Sequence, residues 1–147
     1  MPNILTLADA ERVCAERRLR LTPVRARVLQ LLLDADRALG AYEILEVLKA
    51  EGLGAQPPAA YRALDFLVAQ GFAHKVECLD AFVACRHPSA GHSPVLLICT
   101  RCAVVSEAVP DPRASEIERA AREAGFAIGH AVREAEGLCA RCGREAA

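Results

Sequence analysis

Four of the seven cysteines stand in two pairs of equal spacing, Cys99-Thr100-Arg101-Cys102 and Cys139-Ala140-Arg141-Cys142, with a strand-helix-strand pattern between them. Four thiolates at that spacing form a soft tetrahedral donor set, because each tight turn can aim two sulfurs at one ion, and they predict a zinc site. A redox dithiol would open a helix inside a βαβ unit. The first pair instead lies between the apolar runs Val95-Leu96-Leu97-Ile98 and Val104-Val105. Gly143 suits a turn after the second pair, whereas Ala103 after the first predicts a strained knuckle. Four cysteine ligands leave no open position, so this zinc is expected to fold the chain, by on the order of 10 kcal/mol, and to catalyse nothing.

A second donor set is more scattered: His74, Cys85, His92 and Glu107 offer nitrogen, sulfur and oxygen, but single residues of these types usually sit on a solvated surface. Chemistry toward nucleic acid is suggested by Arg17, Arg18, Arg20, Arg25 and Arg27, which fall within eleven residues that contain no acid. A formal charge of −1 and a pI near 6.4 exclude a general basic coat, so any DNA contact must come from such a local cluster. An odd number of cysteines in paired spacing fits a reducing compartment and metal better than a disulfide framework. The first ten residues lack the pattern of a signal peptide, and no apolar run reaches membrane-spanning length; the expectation is a cytoplasmic protein without a membrane partner.

The elements that must position these residues can be read from caps and periodicity. Thr6 and Asp9 form a capping box before Leu7, Ala10, Val13 and Cys14, which recur at helical spacing. Thr22-Pro23 opens a second helix with Val24, Val28, Leu31 and Leu32 as its buried stripe. A third helix is expected over 41–50, with Ile44, Leu45 and Leu48 inward and Gly52 past its end. A fourth opens at Pro58, buries Ala60, Leu64, Leu67 and Val68, stops before Gly71, and projects Tyr61 and Arg62 from its first turn. Two strand-like runs over 72–78 and 82–85 make a hairpin, with Cys78 as an apolar strand residue. Compact helices followed by a hairpin outline a winged helix-turn-helix over 1–85.

Residues 86–94 have a linker's composition and place a boundary. Beyond it, 95–147 reads as a ββαβ unit: strands at 95–99 and 104–109, a Ser115-to-Glu118 capping box, a helix through Ala124 ended by Gly125, and a third strand over 126–132. The fold class is therefore α+β, in two parts. A sheet this small has an edge to cover, which predicts pairing with a second copy.

Several stretches together, Leu21-Thr22-Pro23-Val24-Arg25, Pro57 through Leu67, Gly71 through Glu77 and the two cysteine pairs, resemble the ferric uptake regulator family and most closely its zinc uptake regulator branch. The similarity runs in order over nearly the whole chain. It implies a homodimeric repressor of zinc-uptake genes that binds palindromic double-stranded operator DNA when loaded with zinc, as one dimer or two, and that is not an enzyme. It implies two zinc ions per chain: a structural one on Cys99, Cys102, Cys139 and Cys142, and a sensing one on His74, Cys85, His92 and Glu107. Cys85 stands where the iron-sensing branch commonly has a carboxylate, and a thiolate favours zinc over harder iron. A sibling sensor of iron, manganese, nickel or peroxide is the alternative. On the DNA side, Arg62 is the candidate for bidentate contact with guanine and Tyr61 for a thymine methyl or phosphate. Tyr42 and Arg25 resemble the family's backbone or base-edge contacts, and Arg17, Arg18 and Arg20 are expected over phosphates. The chain departs from the family at Ala59-Ala60, where Thr-Val is frequent. It departs again at His87, which is followed by Pro88-Ser89 rather than by a second ligand; His87 and His130 are read as solvated or strand-face residues.

Overall fold

The computed structural model of the protein describes residues 5–53, 56–87, 94–108, 111 and 115–147. Helix α1 (Leu7–Glu16) starts on the expected box, in which the Thr6 hydroxyl accepts the Asp9 amide and the Asp9 carboxylate accepts the Thr6 amide. Helix α2 (Pro23–Asp34) is capped by Thr22 and buries Val28, Leu29 and Leu32; α3 (Ala41–Ala50) buries Ile44, Leu45 and Leu48. Helix α4 (Pro57–Ala69) opens on its proline, buries Ala60, Ala63, Leu64 and Leu67, and ends ahead of Gly71, whose φ of +78° carries the chain into the hairpin. Val68, expected inside, is exposed. It stands one position beyond the buried stripe, so at 100° per residue it has turned off the core face.

Strands β1 (Ala73–Val76) and β2 (Ala81–Ala84) pair antiparallel in the register Ala73↔Ala84 to Val76↔Ala81. Their connection is a single 3₁₀ turn over Glu77–Leu79 closed by Asp80 in the left-handed region, φ +46°. Cys78 lies exposed in that turn and not in a strand, contrary to the pattern of its neighbours. Leu39, ahead of α3, exchanges both backbone hydrogen bonds with Phe82, so the hairpin is tied to the helices. One apolar core joins α1 to α4 with Phe72, Ala73, Phe82 and Ala84.

In the C-terminal part, β3 (Val95–Cys99) lies between β4 (Val105–Ala108), antiparallel, and β5 (Glu134–Gly137), parallel, so the sheet order is β4-β3-β5. Helix α5 (Glu116–Ala124) supplies the crossover and ends on Gly125 at φ +63°. Two expectations change here. Ser115 is the N-cap residue but its hydroxyl makes no cap bond; Glu118 instead pairs with Arg133, just ahead of β5. The third strand is not 126–132 but begins at Glu134. Phe126, Ile128 and Val132 alternate as a strand would, yet all are exposed, and they line one hollow with Ile117 and Ala121 of α5. Their apolar pattern marks a surface, while Glu134–Gly137, which has no large apolar side chain, does the pairing.

A second, smaller apolar cluster straddles the expected boundary: Val76, Val83 and Ala38 from the N-terminal part pack with Leu96, Ile98 and Val105 from the C-terminal sheet. Arg37 bridges to Val104, and the Val105 amide donates to the Asp36 carbonyl. Arg86, read as linker, is anchored by its guanidinium to the carbonyls of Leu33 and Ala35.

Candidate metal centres

The first centre is assembled from the end of β3, the turn after it, and the start of a short helix, α6 (Ala140–Ala146). Cys139 is the N-cap of α6, its sulfur accepting the Cys142 amide, which brings both sulfurs of the second pair to one side. Parallel pairing of β5 with β3 delivers Gly137 opposite Cys99, so the two knuckles meet by strand register. The ligand atoms of Cys99, Cys102, Cys139 and Cys142 lie within 4.8 Å of one another. Tetrahedral zinc with Zn–S bonds near 2.3 Å would separate its sulfurs by about 3.8 Å, and Cys102 Sγ to Cys139 Sγ is 3.8 Å. One turn is as expected and the other is not. Ala103 does occupy the left-handed region, at φ +63°, with its amide on the Cys99 carbonyl, whereas Gly143 is an ordinary helical residue of α6.

The electrostatics fit a cation. Backbone amides of Cys102 and Cys139 pull the Cys99 thiol down to about 6. The Cys142 amide likewise lowers Cys139. Burial, and then the neighbouring sulfurs, push Cys142 up to about 12. Four crowded sulfurs, compensated only by amide dipoles and the Arg141 guanidinium beside Cys102 and Cys142, are what a divalent cation relieves.

The second cluster joins the two parts of the chain. His74 comes from β1, Cys85 directly follows β2, and Glu107 comes from β4; their ligand atoms again lie within 4.8 Å. His74 Nε2 is 3.1 Å and Cys85 Sγ 3.7 Å from Glu107 Oε1. Around one tetrahedral zinc those separations would be about 3.3 and 3.5 Å. The Glu107 side chain is 2% exposed and that of His74 14%. Its second oxygen, Oε2, accepts the Arg86 amide at 2.7 Å, which fixes the carboxylate and leaves Oε1 toward His74 and Cys85. Burial, then the Glu107 charge, pushes the Cys85 thiol up to about 12. His92, the remaining ligand implied by the family resemblance, lies outside the described residues. His87 is partly exposed and His130 exposed at the hollow beside α5.

The residues expected to meet DNA divide into two groups. Tyr42 is exposed in the first turn of α3, and Tyr61 and Arg62 are exposed in the second turn of α4, one turn later than expected because the helix already opens at Pro57. Arg18 and Arg20 are exposed as well, with Arg18 in the left-handed position that ends α1. Arg17 and Arg25, however, have work inside the fold. Arg17 donates to the carbonyl and side-chain oxygen of Gln70, at the end of α4. Arg25 lies 3.8 Å over the Phe66 ring and donates to the Arg20 carbonyl. Both brace α4, a role that a cluster of basic residues in sequence does not reveal.

Comparison with known proteins agrees with this arrangement, although no family model matches the sequence. The zinc uptake regulation protein of Escherichia coli (strain K12) is 44% identical over 137 residues, covering 92% of this chain and 80% of that protein. A zinc uptake regulator solved in complex with zinc and DNA superposes with a TM-score of 0.89 at 43% identity, over 96% of this chain and 95% of that one. The holo form of XcZur gives 0.84 at 46% identity, over 94% and 96% of the two chains. Its apo form, equally identical and similarly covered at 93% and 95%, gives only 0.52, so the difference is one of conformation. From sequence and fold together, the chain belongs to the ferric uptake regulator family, in its zinc uptake regulator branch.

Proposed function

We propose that this protein is a zinc-responsive transcriptional repressor of zinc-uptake genes, acting in the cytoplasm as a homodimer on palindromic operator DNA and catalysing no reaction. The observation that carries the reading is the convergence of His74 and Cys85, at the base of the hairpin, with Glu107 of the C-terminal sheet. In this reading residues 1–85 are the DNA reader, 86–94 the hinge and 95–147 the dimerisation unit. Each chain holds two zinc ions, one on the four paired cysteines and one on His74, Cys85 and Glu107, with His92 completing the set. At the second centre zinc supplies a cross-link between the hairpin and β4. Arg86 keeps the Glu107 carboxylate turned toward the hairpin, and Ile98 and Leu96 give Val76 a dry surface to close on. The dimer forms through the exposed apolar surface of Ile117, Phe126, Ile128 and Val132.

Coupling to DNA follows from geometry. Two recognition helices must enter successive major grooves about 34 Å apart. Readers that swing independently rarely present that spacing, whereas readers fixed on a dimer do. A 100-fold gain in operator affinity requires only about 2.7 kcal/mol of such coupling, and by reciprocity operator DNA tightens the second zinc. Tyr61 and Arg62, in the second turn of α4, read base edges; Tyr42, Arg18 and Arg20 contact the backbone, with Arg17 and Arg25 nearby. Native mass spectrometry combined with zinc-titrated gel shifts on a palindromic promoter fragment tests the reading. Two zincs per chain are expected, one removed by mild chelation with loss of DNA binding and retention of fold. Cys85→Ser protein that still holds its promoter equally well in metal-free buffer would refute it.

A further inference from the structure

The β4-β3-β5 order places three side chains on one rung of the sheet: Leu96 of β3 is in register with Glu107 of β4 on one side and with Glu134 of β5 on the other. Residues in register on neighbouring strands leave the same face. All three turn toward the β1-β2 hairpin. Leu96 packs in the cluster that contains Val76, and Glu107 reaches His74 and Cys85 at the hairpin's base. Glu134 reaches its tip, where one carboxylate oxygen accepts the Glu77 amide and the other the Cys78 amide, the latter at 2.9 Å.

The spans match. Two inter-strand steps separate Glu107 from Glu134, about 10 Å, and three residues of extended chain separate His74 from Glu77, also about 10 Å. The hairpin therefore lies across the sheet with a carboxylate under each end. The Glu77 and Cys78 amides open a 3₁₀ turn, so they have no partner within it. Burial pushes the Glu134 carboxyl up, but these two amides outweigh it and hold the group below the ordinary glutamate range.

We propose that Glu134 is a positioning residue, a second fastener that holds the hairpin tip to the dimerisation sheet in the closed arrangement, so that the hairpin cannot pivot about the centre at its base. One point of attachment leaves rotation free, whereas two, with Leu96 between them, define an orientation. This inference rests on the two-zinc reading above. Its consequence is that the tip contact and the second zinc favour the same closed arrangement, so affinity for that zinc falls when the tip contact is lost.

The full-length protein, with zinc already on its four paired cysteines, is titrated with zinc against a competing chelator, and amide hydrogen exchange is followed at Glu77 and Cys78. Glu134→Ala is expected to raise the free zinc needed for half-occupancy of the second centre about tenfold and to speed exchange at both amides. Glu134→Gln, which keeps the shape and can still accept, is expected to shift it about threefold, and it carries the comparison should the alanine variant not fold. A cap that merely stabilises its own turn would speed exchange and leave the zinc midpoint where it was; a midpoint within twofold of the wild type in both variants overturns the proposal. Wild-type protein that takes up a single zinc refutes the two-zinc reading and this inference with it. Wild-type protein with two zincs and an unmoved Glu134→Ala midpoint refutes the fastener alone.

Discussion

The two turns of the cysteine centre make opposite demands on glycine, and exchanging their residues tests the geometry. Ala103 stands at φ +63° on an exposed stretch, so its methyl makes no buried contact to lose. An L-residue in the left-handed region costs roughly 1 to 2 kcal/mol. Glycine removes that cost but returns about 0.4 to 1 kcal/mol through the freedom it adds to the unfolded chain. The net gain for Ala103→Gly is about 0.5 to 1 kcal/mol. Gly143 is the reverse case: it lies inside α6, and a Cβ built on it meets no heavy atom within 4 Å. Gly143→Ala therefore gains helix propensity, about 0.5 kcal/mol once the shortness of α6 is allowed for. Thermal unfolding of the zinc-loaded protein reads both, since 1 kcal/mol moves the midpoint by about 2 to 4 °C at this size. Both single variants are expected to unfold above the wild type, with Ala103→Gly the higher. Should Gly143→Ala unfold lower and Ala103→Gly show no gain, glycine is needed at the second knuckle and the turn assignment is wrong.

Four further outcomes follow from the same geometry. Arg62→Ala is expected to weaken operator binding by about 1 to 3 kcal/mol and relax base preference, and equal losses on operator and random DNA would show that it touches only phosphate. Arg25→Ala is expected to weaken binding by releasing α4 rather than by losing a phosphate contact. The slope of log affinity against log salt should then stay unchanged, whereas a lost phosphate contact reduces it by about 0.9. Leu96→Ala empties the middle of the seam between hairpin and sheet and is expected to cost about 2 to 4 kcal/mol, measured by denaturant unfolding, with faster amide exchange at Val76. Arg133→Ala strips Glu118 of its partner beside β5 and should destabilise the C-terminal part by about 2 kcal/mol, visible as a lower unfolding midpoint; an unchanged midpoint would mean that the pair is solvated.

Much of this fold was legible because its signals are local. Thr6 with Asp9, Thr22 with Pro23, and Gly52, Gly71 and Gly125 at helix ends each act within a turn of the backbone, so each can be read without knowing the partners. The cysteine pairs were legible for the same reason: the spacing itself sets the sulfur geometry. What failed depends on distant chain. Phe126, Ile128 and Val132 carry a strand's alternation, but pairing with β3 went to Glu134–Gly137, whose side chains give no sign of it. Ser115 and Glu118 have the letters of a capping box, yet Arg133 competes for the glutamate. Gly143 looked like a turn residue because it follows a cysteine pair, and only the helix that starts at Cys139 shows otherwise. Glu134 gave no signal at all, since a glutamate on a short strand reads as a solvated residue until the register puts it under the hairpin. The bracing roles of Arg17 and Arg25 were hidden likewise, because Gln70 and Phe66 are remote in sequence.

The shared rung of Glu107, Leu96 and Glu134 ties the responsiveness of the protein to the indexing of its strands. Because faces alternate at every residue, adding or deleting one residue within β4 would turn Glu107 away from the hairpin, and the same lesion within β5 would turn Glu134 away. The sheet could re-form its ladder and the helices keep their core, leaving a folded chain deaf to its ion. Such strands should tolerate exchanges of side chain at outward positions far better than any change in length.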